Sequence, residues 1–239
     1  MRLLEYENID ILDIKDFEQI GSKKGSNNGG LFKNKKTNEK FYIKFSKSSS
    51  HAKNEVLASR LYKLMGSRVP DLYLIELENG NYGVGSKWVH DLNYFDRNKK
   101  EHLDQIHNDF ITHVWLANWD NIGTDYENQM IDQSGKNITI DVGGALLYRA
   151  KGDPKGKFFN DEPTEHKTLR NMNMNRQASL IYGNISDQKI KDGIKKLKQI
   201  DDSILKDIII KYGPGSMNDK NNLANILIKR KYYLIKEFS

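Results

Sequence analysis

Three side chains in the middle of the chain have the types needed to bind a metal ion and to move a proton. Asp120 follows an apolar segment, Asn128 precedes a predicted strand, and Asp141 ends the next predicted strand shortly before a Gly-Gly pair. Carboxylate and amide oxygens are the ligands that Mg²⁺ prefers, so Asn128 and Asp141 form a candidate metal site. Asp120 can orient or deprotonate an attacking hydroxyl group. The alternative is that these residues only cap loops and a turn.

Asp125 is a second candidate for the carboxylate that handles the hydroxyl group. It lies nearer to Asn128, but Thr124 and Tyr126 flank it in a pattern that is typical of an inserted loop tip. We therefore assign this role to Asp120 and keep Asp125 as the competing position.

A lysine and a glutamate earlier in the chain could stabilise the negative charge of a phosphate group. Lys44 lies among large apolar residues on a predicted strand, and Glu55 lies beside the apolar face of the next predicted helix. A carboxylate in that place can fix an ammonium group beside nucleotide phosphates. Taken singly, an edge lysine and an exposed helix glutamate are the ordinary alternatives.

A glycine-rich segment precedes the lysine strand and could bring main-chain amides close to phosphates. It lacks the Gly-Lys-Ser ending of a P-loop and a strand follows it, so a simple hairpin connection is the alternative. The order of glycine loop, strand lysine and helix glutamate is the one that phosphoryl transfer requires. The predicted nucleotide contacts in this loop are Gly25, Ser26, Asn27, Asn28, Gly29 and Gly30.

The elements that must position these residues fall into two groups. The first group is rich in strands, predicted at residues 17–20, 31–33, 41–45, 72–77 and 82–89, with one helix at 52–65. The second group is mostly helical, with a helix ending near residue 117, strands at 129–131 and 137–140, and helices at 189–212 and 221–238. We therefore expect an α+β fold with a boundary near His90.

These motifs together resemble the protein-kinase-like superfamily, in the divergent bacterial branch that includes HipA-type kinases and minimal effector kinases. The resemblance covers roughly residues 20–152, and its nearest likeness is the small type III effector kinase family that phosphorylates a host heat-shock chaperone. It is carried by the Gly-Ser-Asn-Asn-Gly-Gly loop at 25–30, by Lys44 and Glu55, by Asn-Trp-Asp at 118–120 and by Ile-Asp-Val-Gly-Gly at 140–144.

The resemblance implies a two-lobed fold, with a small strand-rich N-lobe at residues 1–89 and a helical C-lobe at 90–239. ATP would lie between the lobes, with its adenine near residues 86–89 and with Lys87 and Val89 among its contacts. Mg²⁺ would accompany the nucleotide. The implied acceptor is a serine or threonine of a protein, such as a host chaperone, and the implied setting is the cytoplasm or a host cell that receives a secreted effector or toxin.

The chain departs from the kinase pattern at several points. It has no His-Arg-Asp or Ala-Pro-Glu segment, Val142 replaces the usual Phe after Asp141, and Asp120 is farther from Asn128 than in the standard loop. The same fold could transfer a nucleotide to protein or phosphorylate a lipid or small molecule. A pseudokinase that only binds a partner is a further alternative, but the retention of Lys44 together with the acid and amide residues argues against a decayed site.

The composition excludes several other classes of chemistry. Without cysteine there can be no disulfide, no cysteine nucleophile and no thiolate zinc site, and the six histidines show no zinc-binding spacing. The net charge of +6 suits an anionic partner. The late basic run alternates with Ile190, Ile194 and Leu197, which favours the solvated face of an amphipathic helix over a nucleic-acid site. No segment is apolar enough to predict a membrane span.

Overall fold

A six-stranded sheet forms the N-terminal part of the structure, a computed structural model that describes residues 11–23 and 28–239. Its strands are β1 (Ile11–Asp13), β2 (Phe17–Gly21), β3 (Gly29–Asn34), β4 (Lys40–Lys44), β5 (Leu72–Glu76) and β6 (Tyr82–Lys87). Their order is β1-β5-β6-β4-β3-β2, and every pairing is antiparallel except that of β1 with β5. The predicted contacts Gly25, Ser26 and Asn27 lie outside the described residues.

Alternation along β4 sets the direction of Lys44. Phe41 and Ile43 are buried in a small apolar cluster that also contains Phe17. Successive side chains of a strand point to opposite faces, so Lys44 projects away from this cluster. Sequence alternation therefore places the lysine on the face of the sheet that meets the following helix.

Helix α1 (Ser49–Leu64) packs on β5 and β6 and carries Glu55. The side chain of Ser48 accepts a hydrogen bond from the main-chain N–H of His51, which makes Ser48 the N-cap and explains why the helix begins earlier than the predicted residue 52. The helix ends before Gly66, whose φ of +77° is in the left-handed region that favours glycine.

The C-terminal part is helical, with one short sheet. The sheet contains β7 (Asn93–Tyr94), β8 (Gln129–Ile131) and β9 (Asn137–Thr139). The helices are α2 (Lys100–His107), α3 (Phe110–Trp115), α4 (Glu165–Thr168), α5 (Arg176–Tyr182), α6 (Asp187–Lys198), α7 (Asp202–Tyr212) and α8 (Met217–Glu237). Within the described ranges, no helix combines the length and apolar character that crossing a membrane needs.

The predicted helical stretch 189–212 is interrupted between α6 and α7. The side chain of Asp201 accepts hydrogen bonds from the N–H groups of Ser203 and Ile204, so this residue starts a new helix. In α6, the apolar side chains of Ile190, Ile194 and Leu197 are buried. The lysines at 191, 195, 196 and 198 are exposed, as expected for a solvated helix face.

The strand-rich first part and helical second part confirm the predicted α+β class. The larger apolar core crosses the predicted boundary, because Leu57 and Leu61 of α1 belong to the same buried cluster as Trp115, Leu205 and Leu227. The division into lobes at residues 89 and 90 stays a prediction.

Arg230 of α8 fastens the end of α3, from which the chain leads to Asp120. Its Nε donates to the carbonyl oxygen of Trp115 at 2.8 Å, and its Nη2 donates to that of Val114 at 2.7 Å. Nη2 also lies 2.7 Å from Glu165 Oε2, and the arginine side chain is fully buried. The guanidinium therefore binds the carbonyl oxygen of Trp115 in the last turn of the helix and adds a further donor to that of Val114.

We expect Arg230→Met to lower the free energy of unfolding by about 3–5 kcal/mol, because Glu165 would keep a buried charge without its partner. The matched control is Lys229→Met, which removes an exposed ion pair with Asp161 and should cost about 1 kcal/mol or less. Urea denaturation of both variants measures the difference. Equal losses would contradict the structural role of Arg230.

Candidate active site

Lys44, Glu55 and Asp141 come from three distant segments and meet at one point. Lys44 Nζ lies 3.0 Å from Glu55 Oε1 and 2.9 Å from Asp141 Oδ2. Burial alone would lower the pKa of Lys44, but the carboxylates of Asp141 and Glu55 raise that pKa well above its ordinary value. The lysine is therefore charged, and both carboxylates are oriented by it.

Asp141 is held by the turn that follows it. Its Oδ1 atom accepts a hydrogen bond from the N–H of Gly143 at 2.9 Å. Burial acts to raise the pKa of Asp141, but the Lys44 ammonium and the Gly143 N–H hold it below its ordinary value. A Cβ atom at Gly143 would lie 3.0 Å from Glu55 Oε2, so the first glycine of the pair leaves room for the carboxylates.

Asn54, the neighbour of Glu55, attaches α1 to the segment after Asp141. Its Nδ2 donates to the carbonyl oxygen of Ala145 at 3.0 Å, and its Oδ1 accepts from the N–H of Leu147 at 3.1 Å. No role of Asn54 was predicted from the sequence. The available signal was an amide residue on the buried face of the helix, directly beside the predicted glutamate.

Asn128 and Asp120 are joined by a hydrogen bond. The Nδ2 atom of Asn128 donates to the carbonyl oxygen of Asp120 at 2.7 Å. Because Nδ2 is the donor, the Oδ1 atom of Asn128 is the group that suits a metal ion. The residues between them form a turn in which the N–H of Asn128 binds the carbonyl oxygen of Ile122, so the unusually long spacing is compatible with proximity.

Asp120 lies at the surface, yet the protein around it reduces its hydration. Burial of the carboxyl group, followed by the charges of Asp141 and Glu127, raises the pKa of Asp120 to about 6. A Cβ atom at Gly144 would lie 3.4 Å from Asp120 Cβ, which shows that the two loops are in contact. Asp125 is exposed, and its N–H donates to Glu127 Oε2 at 2.8 Å. The choice between the two aspartates stays a prediction.

A buried polar chain supports the loop that carries Asp120. Asn118 Nδ2 donates to the hydroxyl oxygen of Tyr62 at 2.9 Å, and this hydroxyl lies 2.8 Å from His113 Nδ1. Burial lowers the pKa of His113 to about 3, in agreement with the packed core histidine expected from the sequence. Tyr62 was not predicted to support the site, because a tyrosine at helical spacing is typical of an ordinary core residue.

A cavity of about 180 Å³ lies beside Lys44. Its lining includes Asn28, Lys47, His51 and Glu55. His51 is 4% exposed, and neither ring nitrogen has a hydrogen-bond partner within the described residues. No histidine was predicted at the site from the sequence; the one available signal was the position of His51 one helical turn before Glu55.

The described end of the glycine segment reaches this cavity. A Cβ atom at Gly29, where φ is +151°, would lie 2.0 Å from the carbonyl oxygen of Ile43, so only glycine fits. The carbonyl oxygen of Asn28 accepts a hydrogen bond from the N–H of Phe45, and Gly30 pairs with Ile43. The contact of Asn28, Gly29 and Gly30 with a nucleotide stays a prediction.

Lys87 and Val89 lie at the end of β6 and just after it. Lys87 Nζ lies 2.6 Å from Glu39 Oε1, and the main-chain N–H of Lys87 donates to the carbonyl oxygen of Asp71. Val89 is half-buried in the connection to the second part of the chain. Their roles as nucleotide contacts also stay predictions.

The residues present fit a magnesium ion that is shared with a nucleotide. The ammonium of Lys44 and the carboxylates of Glu55 and Asp141 together carry a net negative charge, which suits a divalent cation. Asn128 adds an amide oxygen. Among residues 11–23 and 28–239 there is no cluster of three histidine, aspartate or glutamate side chains that could hold a metal ion alone. A site with few protein ligands is typical of Mg²⁺, which takes other ligands from phosphates and water.

Comparison with solved structures identifies the fold. The crystal structure of the Helicobacter pylori proinflammatory kinase CtkA matches with a TM-score of 0.63 and 13% identity, over 96% of this chain and 98% of that one. A 618-residue fragment of LepB from Legionella pneumophila gives a TM-score of 0.44 and 14% identity, over 86% and 46%. An aminoglycoside phosphotransferase from Alicyclobacillus acidocaldarius gives 0.40 and 8%, over 93% of each chain.

No protein family model matches the sequence, and neither does any curated protein. The chain therefore shares its fold, but little of its sequence, with the CtkA kinase. It has a divergent protein-kinase-like fold with a strand-rich and a helical part, as the sequence motifs predicted.

The raised pKa of Asp120 predicts how stability depends on pH. Between about pH 4, the ordinary pKa of an aspartate, and pH 6, the folded chain keeps a proton that the unfolded chain releases, so folding weakens as pH rises through this window. Asp120→Asn removes this loss. The melting temperature of the variant should exceed that of the wild type at pH 7.5, and the difference should vanish near pH 4.

Asp132→Asn is the control of opposite sign. The Ser134 hydroxyl, followed by the Lys136 N–H and Arg68, holds the pKa of Asp132 well below its ordinary value, although desolvation opposes them. Its carboxylate therefore stabilises the fold at neutral pH, and this contribution is lost in acid. The control variant should melt below the wild type at pH 7.5, with a difference that shrinks as pH falls. If the melting temperature of Asp120→Asn exceeded that of the wild type by the same amount at every pH, this would contradict the raised pKa of Asp120.

Proposed function

We propose that this protein transfers the γ-phosphoryl group of ATP, with Mg²⁺, to a hydroxyl group of a protein substrate. The observation that carries the proposal is the convergence of Lys44, Glu55 and Asp141, with Lys44 Nζ 3.0 Å and 2.9 Å from the two carboxylates. Phosphoryl transfer depends mainly on positioning and on electrostatic stabilisation, and this cluster supplies a fixed cation in a desolvated place.

Lys44 and Glu55 act as a pair in this proposal. The ammonium of Lys44 aligns the phosphates of the nucleotide, and Glu55, whose side chain is 5% exposed, keeps the ammonium in place. Glycines 29 and 30 allow the main chain to approach the same phosphates. In this proposal, the phosphates enter the cavity beside Lys44, which Asn28 also lines.

Asp141 and Asn128 are the residues that would hold Mg²⁺. When bound, this ion neutralises charge on the phosphate oxygens. The N–H of Gly143 keeps Asp141 oriented for this role. The hydrogen bond from Asn128 to the carbonyl oxygen of Asp120 keeps the amide oxygen of Asn128 near the same loop.

Asp120 orients the acceptor hydroxyl group and accepts its proton. The acceptor oxygen forms a bond to the γ-phosphorus, the bond from that phosphorus to the β–γ bridging oxygen breaks, and ADP leaves with the electron pair. The proton of the acceptor hydroxyl passes to the Asp120 carboxylate. A pKa of about 6 suits this task, because the group is mostly ionised at pH 7 and is still basic enough to accept a proton.

A serine or threonine of a protein is the proposed acceptor. The similar fold of CtkA, which is described as a proinflammatory kinase, supports phosphoryl transfer. The choice of a protein acceptor rests on the sequence resemblance. An effector or toxin role in a host cell, a chaperone substrate, and the lobes at 1–89 and 90–239 are further parts of this proposal, and they rest on the sequence resemblance.

ATP labelled separately at the γ- and α-phosphates tests the function. The full chain is incubated with each label, Mg²⁺ and dephosphorylated casein, and intact masses of both proteins are recorded. We expect γ-label transfer with the added mass of a phosphate. Transfer of the α-label with a nucleotide mass would show nucleotidylation instead, and binding of ATP without any transfer would show a pseudokinase.

Binding and chemistry should separate in two variants. Asp141→Ala removes a metal ligand, so ATP with Mg²⁺ should raise its melting temperature much less than that of the wild type. Asp120→Asn should keep the full ATP-dependent rise but lose transfer by a factor of about 100 to 10,000. Thermal melts with and without ATP and Mg²⁺, together with transfer rates, measure both effects.

Asp125→Asn is the matched control for the same loop. It should transfer phosphate at a rate close to that of the wild type. Loss of transfer in Asp125→Asn with normal transfer in Asp120→Asn would move the acceptor role to Asp125. Normal transfer in both variants would exclude this loop from the chemistry.

A further inference from the structure

Lys155 is a buried lysine in the loop between β9 and α4, and it binds two main-chain carbonyl oxygens. Its Nζ donates to the carbonyl oxygen of Ala117 at 2.6 Å and to that of Gly144 at 2.7 Å. The residue is 8% exposed, and the ion pairs found within the described ranges do not include it. The surrounding Asp-Pro-Lys-Gly sequence is typical of an exposed turn, so the sequence gives no sign of this burial.

The two carbonyl groups belong to the two loops of the candidate active site. Ala117 comes directly before the Asn-Trp-Asp segment that ends at Asp120, and Gly144 belongs to the turn after Asp141. A Cβ atom at Gly144 would lie 3.4 Å from Asp120 Cβ and 3.1 Å from Asn118 Oδ1. Lys155 therefore joins the two loops at the place where they touch.

The main chain at this junction is in a conformation that needs support. Ala117 has a φ of +54° and Leu146 a φ of +57°, in the left-handed region that residues with side chains rarely adopt. Such residues persist when the surrounding contacts hold them, and they are common at functional sites. The Leu146 N–H binds the carbonyl oxygen of Leu116 at 2.7 Å, and Lys155 holds the carbonyl of Ala117 itself.

A lysine at this buried position loses the hydration of its ammonium group. Burial lowers the pKa of Lys155 to about 7; Glu165 opposes this shift, and the charges of Arg230 and Arg149 add to it. An apolar side chain could fill the space without the cost of desolvating a charge. A neutral amine still has two N–H groups, which equals the number of carbonyl oxygens that it binds.

We propose that Lys155 is a positioning residue, which holds the Asp120 loop against the glycine turn and thereby sets the position of Asp120 relative to Asp141. The proposal rests on the proposed function, since it concerns the placement of groups that act in phosphoryl transfer. Small errors in such placement are expensive, and a displacement of about 1 Å can cost about 100-fold in rate.

Lys155→Met keeps an unbranched side chain, one atom shorter, and removes its donors. It tests the proposal against Lys157→Met at an exposed position nearby. With γ-labelled ATP and dephosphorylated casein, we expect Lys155→Met to lower kcat by about 10- to 100-fold. The KM for ATP and the ATP-dependent rise in melting temperature should stay close to wild-type values. Lys157→Met should match the wild type in all three measurements.

The titration of Lys155 gives a second readout. Between about pH 7 and pH 10.4, the ordinary pKa of a lysine, the unfolded chain holds a proton that the folded chain lacks, so stability rises with pH. The free energy of unfolding of the wild type should therefore increase relative to that of Lys155→Met over this range. A constant difference would show that the amine does not titrate in the buried site and would remove this support.

A double variant separates positioning from simple loss of stability. If Lys155 acts through Asp120, Lys155→Met should have little effect on the residual transfer of Asp120→Asn, measured with excess enzyme. Equal factors in both backgrounds, or a wild-type kcat in Lys155→Met, would overturn the positioning role while leaving the proposed function intact. A wild type without any transfer would overturn both.

Lys155→Gln is a second variant that allows the same measurement if Lys155→Met does not fold. Its amide has two N–H groups on one nitrogen but a shorter reach, so we expect reduced kcat with normal ATP-dependent stabilisation. Loss of cooperative melting in both variants would show that Lys155 serves folding alone, and the proposal would then be wrong.

Discussion

A single buried ammonium shared by two carboxylates is the interaction on which the rest of this structure depends. Glu55 and Asp141 would repel each other in a desolvated space, and Lys44 between them offsets both that repulsion and their lost hydration. The three residues come from a strand, a helix and a loop that are far apart in the sequence. The sheet must therefore direct Lys44 away from its own small core, and the helix must present Glu55 toward the loop that carries Asp141.

Helix α1 organises both loops of the site as well as the lysine. Asn54 binds the segment after Asp141, and Tyr62, two turns farther along, binds Asn118 in the loop that leads to Asp120. Residues at this spacing lie on one face of a helix. One rigid element therefore fixes the turn that carries Asp141 and the loop that carries Asp120, and it does so through buried hydrogen bonds that tolerate little displacement.

The sequence was sufficient for the fold class, and it selected three residues that the structure brings together. Lys44, Glu55 and Asp141 could be selected because charged residues beside apolar ones, in a fixed order, are rare in a simple core. Lys155 could not be found in this way, because its partners are main-chain carbonyls and leave no trace in residue type. The helix break at 199–201 needed the capping geometry of Asp201, which composition alone does not show.

The shared core has a consequence for control of the molecule. Helix α1 packs on α7 as well as on its own sheet, and the guanidinium of Arg60 lies 5.3 Å from the ring centre of Tyr212. Rotation of this helix away from Asp141 would expose apolar side chains such as Leu57 and Leu61 to water. A switch that rotated this helix would therefore lower the free energy of unfolding of the whole domain. The position of Glu55 relative to Asp141 is therefore tied to the folding of the domain as a whole.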